Sequence, residues 1–119
     1  MADTHLDPDV LSALREVMED EFSTLIDTFL ADSEVRLQRL AKAGDAAHIL
    51  EAAHSFKGSS SNMGATVLAS LCHELEQLAK DNDLQGAEVL VDKIEQEFAL
   101  VRPLYEAERQ RSLATIRRF

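Results

Sequence analysis

The chain has 119 residues, 45% apolar and 29% charged, enough for a single core that needs no disulfide or metal staple. Its one cysteine, Cys72, excludes a disulfide framework and a four-cysteine zinc site. Twelve basic against 22 acidic residues leave a net charge of −10, which argues against nucleic acid and anionic lipid, both of which are bound through Lys and Arg.

Asp7-Pro8 reads as an N-cap followed by proline at the first helical position, and opens a short helix near residues 8–18. A long helix follows, with Phe22, Leu25, Ile26, Phe29, Leu30, Ser33, Leu37 and Leu40 at three-and-four spacing. Gly44 closes it and Asp45 caps the next, which runs to about Asn62-Met63 and ends at Gly64. A fourth helix sets Val67, Leu68, Leu71, Cys72, Leu75, Leu78 and Ala79 on one side and ends at Lys80, before a polar loop at Asp81-Asn82-Asp83. The fifth turns Ala87, Leu90, Val91, Ile94, Phe98 and Val101 inward. Pro103 has no N–H for the carbonyl of Ala99, so this helix is expected to kink or stop near residues 99–102. The bundle stripe would then end near Val101, and deletion of residues 104–119 would leave most of the melting temperature intact.

No segment alternates with period two, and strand-like runs are missing. Short loops between amphipathic helices make antiparallel neighbours. The expected fold is all-α, an antiparallel up-and-down four-helix bundle with a short extra N-terminal helix. It occupies residues 1–119 as one domain, with the bundle core at about 8–102 and a C-terminal helical extension or tail at 103–119. Charge is uneven along it. Residues 1–101 carry −13 and residues 102–119 carry +3, so the basic end is expected to meet its own acidic domain. Apolar runs fall far short of the ~18 residues of a membrane span, and the first residues lack a secretory pattern. A cytoplasmic monomer is expected. No phosphate-cradling glycine string occurs, and no route to ATP can be read.

The third helix carries the chemistry. On a wheel of ~100° per residue, Ile49, Ala52, Ala53, Phe56, Ser59, Ser60 and Met63 form the core stripe. His54 falls on the opposite side with Leu50, Glu51, Lys57, Gly58 and Ser61. Glycine in a helix interior costs about 0.8–1 kcal/mol relative to alanine, and Gly58 stands on the His54 face, where it leaves the imidazole open. Leu50 reads as an apolar residue with no core to fill. Together they suggest a nucleophile or acceptor that another macromolecule must reach; the plainer alternative is a surface histidine near an accidental helix glycine.

The run His54-Ser55-Phe56-Lys57-Gly58-Ser59-Ser60-Ser61-Asn62-Met63-Gly64 resembles the signature of histidine-containing phosphotransfer (HPt) domains. That signature is His-x-(Leu/Phe)-Lys-Gly-(Ser/Ala)-(small)-x-x-(Met/Leu/Ile)-Gly, and the chain matches it throughout. The resemblance spans roughly residues 5–101 and implies a phosphocarrier without ATP-dependent kinase activity. Such a carrier accepts a phosphoryl group on histidine from one receiver domain's phospho-aspartate and passes it to another's. Its partners would be the receiver domains of a hybrid sensor kinase and of a response regulator. His54 would be the phosphorylated nucleophile, Lys57 would steady the phosphoryl oxygens or the receiver's acidic rim, and Gly58 would let the receiver close. Leu50, Glu51, Ser61, Thr28 and Asp32 would border the docking surface. No cofactor or metal is expected on the chain, because the receiver brings Mg²⁺ and the acidic pocket.

The remaining histidines have plainer readings, His73 that of an ordinary surface residue. His73-Glu74-Leu75 starts like the phosphorylated box of sensor kinases, but Glu76 stands where a basic residue is usual and Leu78 where proline is. His48 and Glu51 have metal-like spacing without a third ligand, His5 lies in a start expected to be flexible, and Cys72 reads as a buried small hydrophobe. Two rivals remain at this point, a helical adaptor with an unmodified His54 and the dimerisation half of a histidine kinase.

Overall fold

In the computed structural model, which describes residues 5–117 and side chains through Ala114, each helix starts and stops where its orphan backbone groups find partners. Helix α1 (Pro8–Met18) is capped by Asp7, whose carboxylate accepts from the Asp9 N–H at 2.9 Å. A single 3₁₀ turn at Glu19–Glu21 leads into α2 (Phe22–Lys42). Asp45 accepts from the His48 N–H and caps α3 (Ala46–Asn62). Gly44 stands between these helices without the left-handed conformation expected of a closing glycine; Ala43, in extended conformation, ends α2 instead.

The next two turns are built alike. After α3, Gly64 adopts φ +76°, which lets the Ala65 N–H reach back to Ser60 and the Gly64 N–H to Ser61. After α4 (Thr66–Lys80), Asn82 takes the left-handed position and the Asp83 and Asn82 N–H groups bond to Leu78 and Ala79. Asp83 then accepts from the Gly86 N–H and opens α5 (Leu84–Arg117). Gly64 has a second role: its carbonyl accepts from the Asp7 N–H at 2.8 Å, tying the N-terminal segment to the α3–α4 turn.

The fold is all-α, with no strand among the described residues, and α2 to α5 form the four-helix bundle behind the short α1. Phe22, Ile26, Phe29, Ala53, Phe56, Leu68, Cys72, Leu75, Ile94 and Val101 fill its centre. Helices α3 and α4 share the most extensive contact, which positions residues of α4 beside the His54 face.

Of the kink or stop expected at Pro103, the stop is overturned, and the residues beyond it form a helical extension. Helix α5 does not stop there but continues to Arg117. At ~1.5 Å per residue its 34 residues account for most of the molecule's 53 Å length. Ala99 and Pro103 both face solvent, so the carbonyl that proline leaves without a donor can bond water. What holds the far half is Tyr105. Its ring is fully buried, meets Phe29 edge-on at 5.2 Å, and its hydroxyl donates to the Met63 carbonyl at 2.6 Å. The core thus extends past the predicted edge near residue 102, to Tyr105 and the buried Ser112. Tyr105 follows Val101 by four positions and so continues the inward series across Pro103.

The basic end meets its own acidic domain, as its charge implied. Arg102 pairs with Glu34 and Arg109 with Asp27 of α2, while Glu108 pairs with Arg15 of α1. His5, expected in a flexible start, is also corrected: its Nδ1 lies 2.7 Å from the largely buried Glu97 carboxylate.

Candidate functional site

Ile49, Ala53, Phe56 and Ser60 point α3 into the core, and this leaves His54 on the far side with 70% of its side chain exposed. Glu51, Gly58 and Ser61 share that open face. An ideal Cβ placed on Gly58 meets nothing within 4 Å, so the glycine answers no packing need inside the bundle. Thr28 and Asp32 are exposed on α2.

Two residues depart from expectation. Leu50 is half-buried and packs against the core, so it does not stand as a free apolar contact. Lys57 is only 29% exposed, and its Nζ forms an ion pair with Glu76 Oε1 at 2.7 Å. Lys57 faces α4 through this pair, and Leu50, seven positions earlier, falls on the same flank of α3. A wheel with a single inward direction cannot show a helix covered on two sides.

Glu76 is the residue that sequence reasoning missed. It projects from α4 with 7% of its side chain exposed, and its Oε2 stands 2.9 Å from His54 Nδ1. One buried carboxylate therefore joins the exposed imidazole to the lysine one turn along. The hydrogen bond from Lys57, and after it the one from His54, hold the Glu76 carboxyl at about 2, well below the usual carboxylate range. Ionised, it can only accept. In the neutral imidazole the proton of its bond with His54 then sits on Nδ1, which leaves the Nε2 lone pair free. A polar side chain at 76, on an otherwise apolar stripe of α4, was the signal available in the sequence.

His48 is engaged locally by Asp45, which stands 2.7 Å from its Nδ1, and His73 is exposed on α4. No group of three or more potential metal ligands forms among the described residues. Cys72 is fully buried, and burial pushes its thiol up to about 12, consistent with an inert packing role. No helix among the described residues is long and apolar enough to cross a membrane.

Comparison with known proteins places this geometry in context. A family model for the Hpt domain matches residues 24–104. The crystal structure of histidine-containing phosphotransfer protein B (HptB) from Pseudomonas aeruginosa PAO1 is similar, with 53% identity and a TM-score of 0.88. That match covers 92% of this chain and 98% of the other. A rice protein assigned to the histidine-containing phosphotransfer proteins shares the fold at 17% identity and a TM-score of 0.81, over 92% of this chain and 83% of its own. No curated protein matches the chain by sequence.

Proposed function

The chain belongs to the Hpt domain family, the histidine phosphotransfer proteins of phosphorelays, and on that premise we propose that His54 Nε2 carries the phosphoryl group between two receiver domains. The observation that supports this reading is the Glu76 carboxylate 2.9 Å from His54 Nδ1, which in the neutral ring favours the tautomer with its outward nitrogen unprotonated.

In the transfer, the Nε2 lone pair attacks phosphorus in line. The bond from phosphorus to the donor's aspartyl oxygen breaks, and the electron pair leaves with that carboxylate. Phosphorylated on Nε2 and still protonated on Nδ1, the ring gains positive charge, which the Glu76 carboxylate opposes. Lys57 is one turn from His54 and is already ordered by Glu76. It needs only to turn its ammonium outward to meet the phosphoryl oxygens. Such a transfer relies on positioning and charge stabilisation, and the reverse step to a second receiver uses the same groups. The acidic pocket and Mg²⁺ belong to the receiver, and ATP is no substrate.

Gly58 tests the partner. With open space where its Cβ would stand, Gly58→Ala is expected to stabilise the free protein by about 1 kcal/mol. Gly58→Gln should remain as stable as wild type yet stand over the approach to His54. The assay is labelling of both proteins by three donors: a phosphorylated receiver domain, phosphoramidate, and ATP. Wild type is expected to take label from the first two and none from ATP, whereas the glutamine variant loses transfer from the receiver by tenfold or more and keeps labelling by phosphoramidate. Equal labelling of the two proteins by the receiver would remove Gly58 from the docking surface. Labelling of wild type by ATP alone would favour a kinase.

A further inference from the structure

The cleft between the C-terminal half of α2 and the first half of α3 holds positive charge that this acidic protein leaves unneutralised. Arg36, Arg39 and Lys42 line its space of about 660 Å³ together with the carboxylates of Asp45 and Glu51, so the lining keeps a small basic excess in an otherwise acidic chain. Although the chain has 22 acidic residues for 12 basic ones, none of the three forms an ion pair among the described residues. Lys57, Arg15, Arg102 and Arg109, by contrast, each sit on a carboxylate. Asp45, on the cleft wall, is committed to His48 through its backbone N–H and its ring.

Arg36 is held in place without being neutralised. Its Nε donates to Ser55 Oγ at 3.1 Å, and its Nη1 is buried with no hydrogen-bond partner. A guanidinium presents five donors in a rigid fork suited to carboxylates, and the described chain supplies an acceptor for one of them.

The position of this cleft gives the charge a use. His54 and Ser55 are consecutive, so they point ~100° apart on α3, and the exposed Gly58 and Glu51 lie between them. A body that descends over Gly58 onto the imidazole overhangs Ser55 and, beyond it, Arg36. We infer that the basic cleft seats the acidic rim of the receiver during transfer with His54, an inference that rests on the function proposed above. A receiver pocket that binds Mg²⁺ and phosphorylates an aspartate is rich in carboxylates, and a chain of charge −10 would otherwise repel it. The cleft concentrates the opposite charge where the two surfaces must meet. On this inference the docking part of α2 extends to Arg36 and Arg39, one or two turns beyond the Thr28 and Asp32 expected from sequence.

The test uses Arg39 and Lys42, which are exposed, so their replacement leaves the bundle intact. From a panel of receiver domains phosphorylated with acetyl phosphate, the one that labels wild type fastest serves as donor, with phosphoramidate as the small reference donor. For Arg39→Glu/Lys42→Glu at low ionic strength, the ratio of receiver to phosphoramidate labelling rates is expected to fall by about tenfold or more. The deficit should shrink towards wild type in 0.5 M NaCl. Arg39→Gln/Lys42→Gln should fall between the two. A ratio unchanged from wild type overturns the inference, as does an equal fall with both donors. Stabilisation of wild type by pyrophosphate that the glutamine pair abolishes, with receiver transfer unaffected, assigns the cleft to a small anion and also overturns it. If no phosphorylated receiver labels wild type while phosphoramidate does, the relay function itself fails, and the cleft inference with it.

Discussion

Tyr105→Ala is expected to unfold about 3–5 kcal/mol more easily than wild type, the range for removing a large aromatic side chain from a packed core. For a chain of this length that corresponds to roughly 10–20 °C in melting temperature. The cost arises because Tyr105 is the anchor beyond Pro103: its ring is fully buried against Phe29, and its hydroxyl satisfies the Met63 carbonyl at the end of α3. Tyr105→Phe keeps the ring and strands the carbonyl, so about 1–2 kcal/mol should be lost. Deleting residues 104–119 removes the anchor together with the Arg109–Asp27 and Glu108–Arg15 pairs, and should cost at least as much as the alanine substitution. Thermal unfolding followed by circular dichroism measures all three. A truncated protein that melts within about 3 °C of wild type would show that the bundle does end near Val101.

Replacing Glu76 should separate stability from chemistry. Glu76→Leu leaves Lys57 and His54 without their shared acceptor. Because His54 is exposed and Lys57 partly so, both can turn to water, and the stability lost should be about 1–2 kcal/mol. Phosphotransfer should suffer more, by roughly a hundredfold, since the imidazole is then free to place its proton on Nε2. Glu76→Gln keeps an acceptor without the charge and should recover part of that rate. The distribution of the imidazole between its tautomers, read by nitrogen NMR, should shift away from protonated Nδ1 in the leucine variant. Acid provides an independent check. Glu76 has its carboxyl lowered to about 2 in the folded protein, so its contribution to stability is complete above its ordinary value of 4.5 and is lost as pH falls towards 2. The stability advantage of wild type over Glu76→Gln should hold from pH 7 to about 5 and then close. An advantage that stays constant down to pH 2 would mean that the carboxylate is not held by these partners.

The sequence made the exposed half of the site legible and hid the buried half. His54, Lys57 and Gly58 lie on one helix, where spacing alone fixes their relative directions. Glu76 lies 22 positions on from His54, and its contact depends on how α4 is rotated against α3, which no periodicity within either helix encodes. The same limit explains Leu50, whose partial burial comes from a neighbour that covers the flank of α3. Helix starts were readable because Asp7 and Asp45 act within three residues of themselves. Pro103 misled for the opposite reason. Its local penalty is visible in the sequence, whereas the compensation from Tyr105 depends on Phe29 and Met63, far away along the chain. Arg36 belongs to the same class, since its meeting with Ser55 joins two helices.

The most direct test of the account is where the label sits after incubation with a phosphorylated receiver domain. Wild type should acquire one acid-labile phosphoryl group, located by nitrogen–phosphorus NMR on Nε2 of His54, with Nδ1 still protonated towards Glu76. His54→Gln, whose circular dichroism should match that of wild type because the side chain is exposed, should acquire none. Acid-labile label on folded His54→Gln at the wild-type level, or phosphorus bonded to Nδ1 in wild type, would contradict it.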